Sequence, residues 1–353
     1  MKNKIFIPEI NSLRFFAAIA VAVFHFGRWS IPFNEGILNN YALGFNLAVS
    51  FFFVLSGFIM ATVYNSLKIF SLDKSFNFYL KRIVRIVPLY ILALILTVLF
   101  SEQSLNFKEF FLSLFFLQSW IPEYALSLNF TGWSLSVEMF FYLLFPFIFP
   151  FIAGRKSILK FTFVFWLLSS LTTFISFYLG YDIEFIKYFP LLHLNEFLIG
   201  MCAGIIYLRE TDKRSNLLFF IPLVFLLLYI PLISQFNVIH HNGLLAPIFA
   251  LLILGASRLK TTILSNSVLV KLGDASYGMY ILQFPIYLIV YKLYNDFNIF
   301  DLLGEERRFY FYLIVLILIS YLSSVTFEKW IKQLILNRKF SSKPDIRLAL
   351  DEI

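Results

Sequence analysis

Apolar runs long enough, or nearly so, to cross a bilayer as helices recur along the chain. They lie near 10–27, 43–64, 83–100, 133–152, 158–179, 185–208, 217–236, 242–257, 275–293 and 309–327. An eleventh stretch, FKEFFLSLFFLQSW at 107–120, is short and carries Lys108 and Glu109. The positive charges between the runs decide whether it crosses. If it does not, the basic clusters at Arg155-Lys156, Arg209 to Arg214 and Arg258 to Lys260 fall on the same side as Lys2, Lys4, Lys81, Arg82 and the basic tail from Lys329. The acidic or neutral connections, Asp182 with Glu184, His240-His241 and Asp296 to Asp301, then fall on the other side, with Arg307-Arg308 as the discordant pair. The positive-inside rule favours that arrangement. It predicts an all-α, polytopic membrane helix bundle of about ten transmembrane helices with both termini cytoplasmic. One membrane-embedded domain would cover 1–338, followed by a short polar cytoplasmic tail at 339–353. The segment near 101–132 would be a long outer loop dipping into the interface.

Composition strengthens this picture and removes others. Of 353 residues, 60% are hydrophobic and only 14% charged, against roughly a quarter charged in soluble globular proteins. The net charge of +8 comes from the short basic clusters that orient a membrane protein, so it argues against nucleic acid as a partner and for membrane lipids. The single cysteine, Cys202, excludes an internal disulfide framework and a cysteine-based metal site. His25, His193, His240 and His241 fall on different spans or on the outer loop, so no metal site is expected. Gly-rich phosphate loops, HExxH spacing and a GxSxG elbow are absent from the sequence.

Ionisable residues within the apolar runs are the candidates for chemistry, because they are costly there and face protein or water. In LRFFAAIAVAVFH, Arg14 and His25 stand eleven residues apart. On a regular helix that brings them within about 20° in azimuth and separates them by about 16 Å. The predicted topology places Arg14 towards the cytoplasm and His25 towards the outer leaflet. His25 suits general-base chemistry on a hydroxyl; its plain alternative is a histidine at a helix end touching headgroups. Glu138, in WSLSVEMFFYLLFP, is expected at the depth of His25, where a carboxylate would orient the imidazole. A buried glutamate satisfied by Trp133 or a tyrosine is the alternative. Arg82 and Arg85 open the third span as neighbours on one helical face and could clamp phosphate with Arg14, or serve as ordinary flanking charge. Small residues (Gly44, Ala48, Ser56, Gly57) in the second span allow close approach of helices or of an acyl chain. HLNEFLIGMCAG sets His193, Asn195 and Glu196 inside another span, with Glu196 structural or lining a watery path. SYGMYILQFP gives one polar stripe of Ser276, Tyr280 and Gln283, and Glu328 heads FEKW at the inner interface.

Taken together, PEINSLRFFAAIAVAVFH, GFNLAVSFFFVLSGFIM, KRIVRIVPLY, WSLSVEMFFYLLFP, NEFLIGMCAG, SYGMYILQFP and FEKW resemble, in order and spacing, the acyltransferase 3 family of integral membrane acyltransferases. The resemblance implies a ten-helix bundle in a bacterial cytoplasmic (inner) membrane. It also implies transfer of an acyl group, most often acetyl, from acyl-CoA to a hydroxyl of a cell-envelope or exported carbohydrate, free or lipid-linked. Acyl-CoA would be a co-substrate, with no tightly bound cofactor. The family's arginine–ten–histidine motif falls on Arg14 and His25, its paired arginines on Arg82 and Arg85, and its WS-x-x-x-E acid on Glu138. Trp133, Ser136, Glu196, Tyr280 and Gln283 are further substrate or structural candidates. Gln283 stands where the family often has histidine, and Asn11-Ser12 replace the commoner Asp-Gly. Some relatives carry a fused extracytoplasmic hydrolase-like domain; here a second acyl-carrier step is expected to need a separate protein. A membrane transporter or flippase for an envelope precursor is the competing expectation, although no inverted repeat or paired broken helices support it.

Overall fold

The computed structural model describes residues 6–68, 71–102, 104–154, 158–210, 216–235, 242–259, 261–297 and 307–340. Among these residues every regular element is helical. Lys2, Lys4, Arg155, Lys156, Arg214, His240, His241, Lys260 and Asp301, with the tail from 341, lie outside them.

The principal helices are α1 (Pro8–Ala22), α2 (Gly36–Gly44), α3 (Ala48–Val63), α4 (Leu72–Phe100), α5 (Phe107–Leu114), α6 (Gly132–Ala153), α7 (Ile158–Tyr178) and α8 (Ile183–Tyr188). They continue as α9 (Leu194–Arg209), α10 (Leu217–Tyr229), α11 (Ala246–Arg258), α12 (Ser267–Asp274), α13 (Ser276–Ile281), α14 (Gln283–Asp296), α15 (Arg308–Val325) and α16 (Phe327–Phe340). Seven described helical stretches are long and apolar enough to cross a membrane: Pro8–Gly27, Gly36–Val63, Leu72–Phe100, Gly132–Ala153, Ile158–Tyr178, Pro190–Arg209 and Arg308–Ile335. The other three predicted crossings coincide with shorter or broken helices, namely α10, α11 and the α13–α14 pair interrupted at Leu282. This is a multi-pass membrane protein.

The helix α3 is the centre of the bundle. In its stretch 72% of the most apolar window is buried, against 17% for α7, so α3 is wrapped by protein while α7 presents most of its apolar surface outwards. Lipid offers apolar groups as good a solvent as the protein core, so the helices must be joined by close packing. Glycine supplies it between α3 and α9. A Cβ at Gly57 would come within 2.1 Å of the Phe197 carbonyl oxygen, and one at Gly200 within 1.9 Å of the Val54 carbonyl oxygen. A second close approach fixes α1: a Cβ at Gly273 would lie 2.0 Å from the Asn11 carbonyl oxygen. Beside it Asn11 donates to Asp274 at 2.6 Å and the Ser12 hydroxyl to the Leu264 carbonyl at 2.5 Å. Proline at the first turn and Glu9 in it suit the start of α1.

The 107–120 stretch does not cross. Its helix α5 has 8 residues, about 12 Å of rise. The segment that follows is not a loose interfacial loop, for Gln118, Ser119, Ala125, Asn129 and Thr131 are all buried in protein. Gln118 donates to the Gly132 carbonyl and to Tyr90, Ser119 to the Trp133 carbonyl, and Ser136 to the Phe116 carbonyl. These bonds satisfy backbone that lipid could not. They also clamp the start of α6, which carries Glu138.

Replacement of Gly200 by alanine should lower the thermal midpoint in detergent by several degrees, a loss of about 1–3 kcal/mol for overpacking against rigid backbone. Gly154→Ala, where a Cβ meets nothing within 4 Å, should leave the midpoint unchanged in the same unfolding measurement.

Candidate active site

Three arginines from two helices border one space: Arg82 is buried, Arg14 half-buried and Arg85 exposed. Arg82 on α4 is 5% exposed, and its guanidinium donates to the Tyr64 hydroxyl at 2.6 Å while lying over the Tyr64 and Tyr142 rings. Tyr142 in turn donates to the Glu138 carboxylate, which also accepts from Ser56 at 3.2 Å. Tyr142 follows Glu138 by four residues on α6, so the two stack on one face. Arg14 and Arg85 border the same space. Aromatic faces and hydroxyls thus share the burial of Arg82 with an acid two bonds away, leaving its Nε without a partner.

The space itself has two compartments. A narrow space is walled by Val49, Phe52, Phe53, Leu55, Leu135 and other apolar groups, with Ser134, Glu138 and Tyr280 among its polar ones. A wider space is lined by seven basic side chains (Arg14, Lys81, Arg82, Arg85, Lys271, Lys329, Lys332) against two acidic ones, Asp274 and Glu328. Arg14, Ile59, Arg82, Arg85 and Tyr277 border both. The arginines therefore stand at the junction between a basic vestibule and an apolar tunnel. Tyr277 braces the junction by donating to the Ile86 carbonyl at 2.6 Å.

His25 is placed elsewhere. It sits half-buried in a π turn, Val23–Gly27, at the end of α1. Its ring packs on Phe24 at 4.8 Å, Phe130 at 4.6 Å and Phe26 at 6.2 Å. The π turn breaks the regular twist from which a shared azimuth with Arg14 was expected, and such turns recur at functional sites. The expected pairing of His25 with Glu138 is not formed, and the expected common depth is not observed. Phe130, in the turn two residues before α6 and eight before Glu138, is the residue that touches the imidazole. Glu138 belongs instead to the arginine level.

The remaining candidates divide. Tyr280 lines the narrow cavity and accepts from Ser134 at 2.7 Å. Gln283 lies on the far side of the break in the α13–α14 pair, fully buried, donating to the Tyr280 carbonyl at 2.7 Å. Trp133 packs against Tyr188, His193 and Phe53, and Ser136 is spent on the Phe116 carbonyl. Glu196 contacts His193 Nδ1 at 2.8 Å, while His193 Nε2 faces the Lys187 carbonyl at 2.8 Å. A carbonyl only accepts, so Nε2 carries a proton and a further proton is shared between Nδ1 and the carboxylate. That pair ties the start of α9 to the residues before it. Tyr64, Tyr142 and Tyr277 were not singled out from the sequence. For Tyr142 the signal was its i+4 spacing from Glu138; Tyr64 had none, since only the fold brings it to Arg82.

The family model of an acyltransferase domain, Acyl_transf_3, matches residues 7–327. The chain belongs to the acyltransferase 3 family. Its similarity to a putative acetyltransferase, ORF330, of Acidianus two-tailed virus is 29% identity over 289 residues, 78% of this chain and 81% of that one. Acyltransferase MdmB of Streptomyces mycarofaciens is 32% identical over 154 residues, 40% of this chain and 38% of the relative. O-acetyltransferase OatA of Staphylococcus aureus is 22% identical over 361 aligned positions, 92% of this chain and 56% of that protein. The chain thus spans well under two thirds of MdmB and of OatA. No solved structure matches.

Glu138 puts a negative charge among three guanidiniums of this acyltransferase-family site. Glu138→Gln should therefore bind coenzyme A at least as tightly as the unaltered protein, whereas Arg82→Gln should weaken it about tenfold or more, as expected for loss of a charge-assisted contact. Isothermal titration in detergent measures both.

Proposed function

We propose that this chain transfers an acyl group, acetyl foremost, from cytoplasmic acyl-CoA to a hydroxyl of a cell-envelope or exported carbohydrate. The observation that carries the reading is the two-compartment space, in which a basic vestibule narrows at three arginines into an apolar tunnel. That shape suits a donor with a bulky polyanionic head and a thin arm ending in an acyl group. Forked guanidiniums at Arg82, Arg85 and Arg14 would hold its phosphates. The relatives OatA, MdmB and ORF330 bear acetyltransferase or acyltransferase names, which agrees with acyl transfer. In this reading α10, α11 and the broken α13–α14 pair complete ten crossings of a bacterial cytoplasmic membrane. Both termini and the vestibule then face the cytoplasm, in accord with the basic side chains around it.

Chemistry would occur at the other end. Ser134 and Tyr280 line the narrow space, and Phe130, which packs on His25, lies in the turn four residues before Ser134. His25 takes the proton of the acceptor hydroxyl as its oxygen attacks the thioester carbonyl. The new C–O bond forms, the C–S bond breaks, and the departing thiolate of coenzyme A takes the proton back from the imidazolium. The products are the O-acyl carbohydrate and free CoA-SH. In this arrangement Glu138 acts at the donor, holding Tyr142 and balancing the arginines, and not as the orienting partner of His25.

His25→Ala should reduce transfer about 100-fold or more, the size of a lost general base. Arg82→Gln with Arg85→Gln should raise the KM for acetyl-CoA about tenfold or more and leave that for the acceptor unchanged. Radiolabelled acetyl-CoA with membranes carrying the full chain measures both, and O-acetyl content of the glycan from a deletion strain should fall. Near-normal transfer by His25→Ala would end this assignment of the base.

A further inference from the structure

His25 lacks the carboxylate that usually holds a catalytic imidazole, and no hydrogen bond to a described residue orients it. Its orientation rests on ring packing, and of its ring neighbours only Phe130 comes from outside its own turn. The question is therefore what holds Phe130.

The answer begins at Pro285. Proline has no N–H and its ring crowds the carbonyl four residues earlier, which here is that of Ile281. The helix breaks there into α13 and α14. The released Ile281 carbonyl accepts a hydrogen bond from the Asn129 side-chain amide at 2.9 Å. Asn129 is 1% exposed, so water is no ready substitute. Its side-chain oxygen accepts from the Thr131 hydroxyl at 2.9 Å and its backbone carbonyl from the Gly132 N–H at 2.8 Å. Leu128 just before it is held at φ 55°, a left-handed conformation that a leucine adopts only where surroundings impose it. With the residues on both sides tied down, the Phe130 ring is set against His25 at 4.6 Å and Phe284 at 4.9 Å.

We propose that Asn129 is a positioning residue for His25, acting through its hydrogen bond to the Ile281 carbonyl at the break of the α13–α14 pair and through the Phe130 ring that this bond fixes against the imidazole. The inference rests on the assignment of His25 as the base. It gives the broken helix a role: the carbonyl freed by Pro285 is the anchor point for the reacting end of the site.

The test uses the full chain in membranes, acetyl-CoA as donor and the glycan of those membranes as acceptor, with CoA-SH release followed against donor concentration. Asn129→Asp keeps the shape and removes the amide donor. Its Vmax should fall about tenfold or more, as small misplacements of a reacting group do, with the KM for acetyl-CoA within about twofold of the unaltered protein. Phe130→Leu should show the same split, and the double variant should be no slower than the slower single one, because both changes act along one path. Unchanged Vmax in a folded Asn129→Asp protein, a rise in donor KM alone, or losses that multiply in the double variant would overturn the proposal. If Asn129→Asp does not fold, Phe130→Leu decides, since it leaves the Asn129–Ile281 bond in place; full Vmax there would overturn it too. His25→Ala run alongside separates the failures: activity retained there removes the assignment of the base, whereas activity lost there with Asn129→Asp unaffected removes this inference alone.

Discussion

The buried guanidinium of Arg82 cannot be left bare, and the middle of the bundle is built to meet that need. A charge inside an apolar bundle must find partners or water, and Arg82 finds both an aromatic sandwich and a hydroxyl in Tyr64 and Tyr142. Tyr142 passes the polarity on to Glu138 and Glu138 to Ser56, so one charge recruits residues from α3, α4 and α6. Arg14 and Arg85 are served differently, by a wide basic cavity with Asp274 and Glu328 at its edge. The same requirement that keeps the charges tolerable leaves a surplus of positive groups facing one open space.

Arg14 on α1 and His25 in the π turn after it are eleven residues apart in the chain, and α1 is locked to α12 by the backbone contact at Gly273. Glu138 lies on α6 within the arginine-lined space, whereas Phe130, in the turn before α6, packs on His25. The α3–α9 contact at Gly57 and Gly200 fixes α3, which supplies one wall of the narrow space. The segment from Gln118 to Thr131 gives polar side chains to backbone carbonyls at the start of α6 and at the helix break.

Much of this was open to reading along the chain. The apolar runs are long, and intramembrane ionisable residues stand out against them, so Arg14, His25, Arg82, Arg85 and Glu138 were visible without coordinates. The spacing of Arg82 and Arg85 correctly put both on one face, because a three-residue step is a local property of a helix. The partner of Glu138 was not legible, because the run marks where α6 begins but not which neighbouring side chains its face meets: Tyr142 and Ser56, not His25. Tyr64 was invisible, since nothing local marks a tyrosine beyond the end of α3 as the acceptor for an arginine eighteen residues later.

Sequence alone determined the membrane setting, the helical class, the identity of the charged groups and the family. These follow from local hydrophobicity, from short-range helical geometry and from motifs in order. Tertiary structure decided which of those groups share a space: Glu138 with the arginines, Phe130 with His25, and Asn129 with a carbonyl 152 residues away. Those pairings depend on helix registers set by glycine contacts and by hydrogen bonds from distant loops, and one turn of register, about 5.4 Å, is enough to exchange one partner for another.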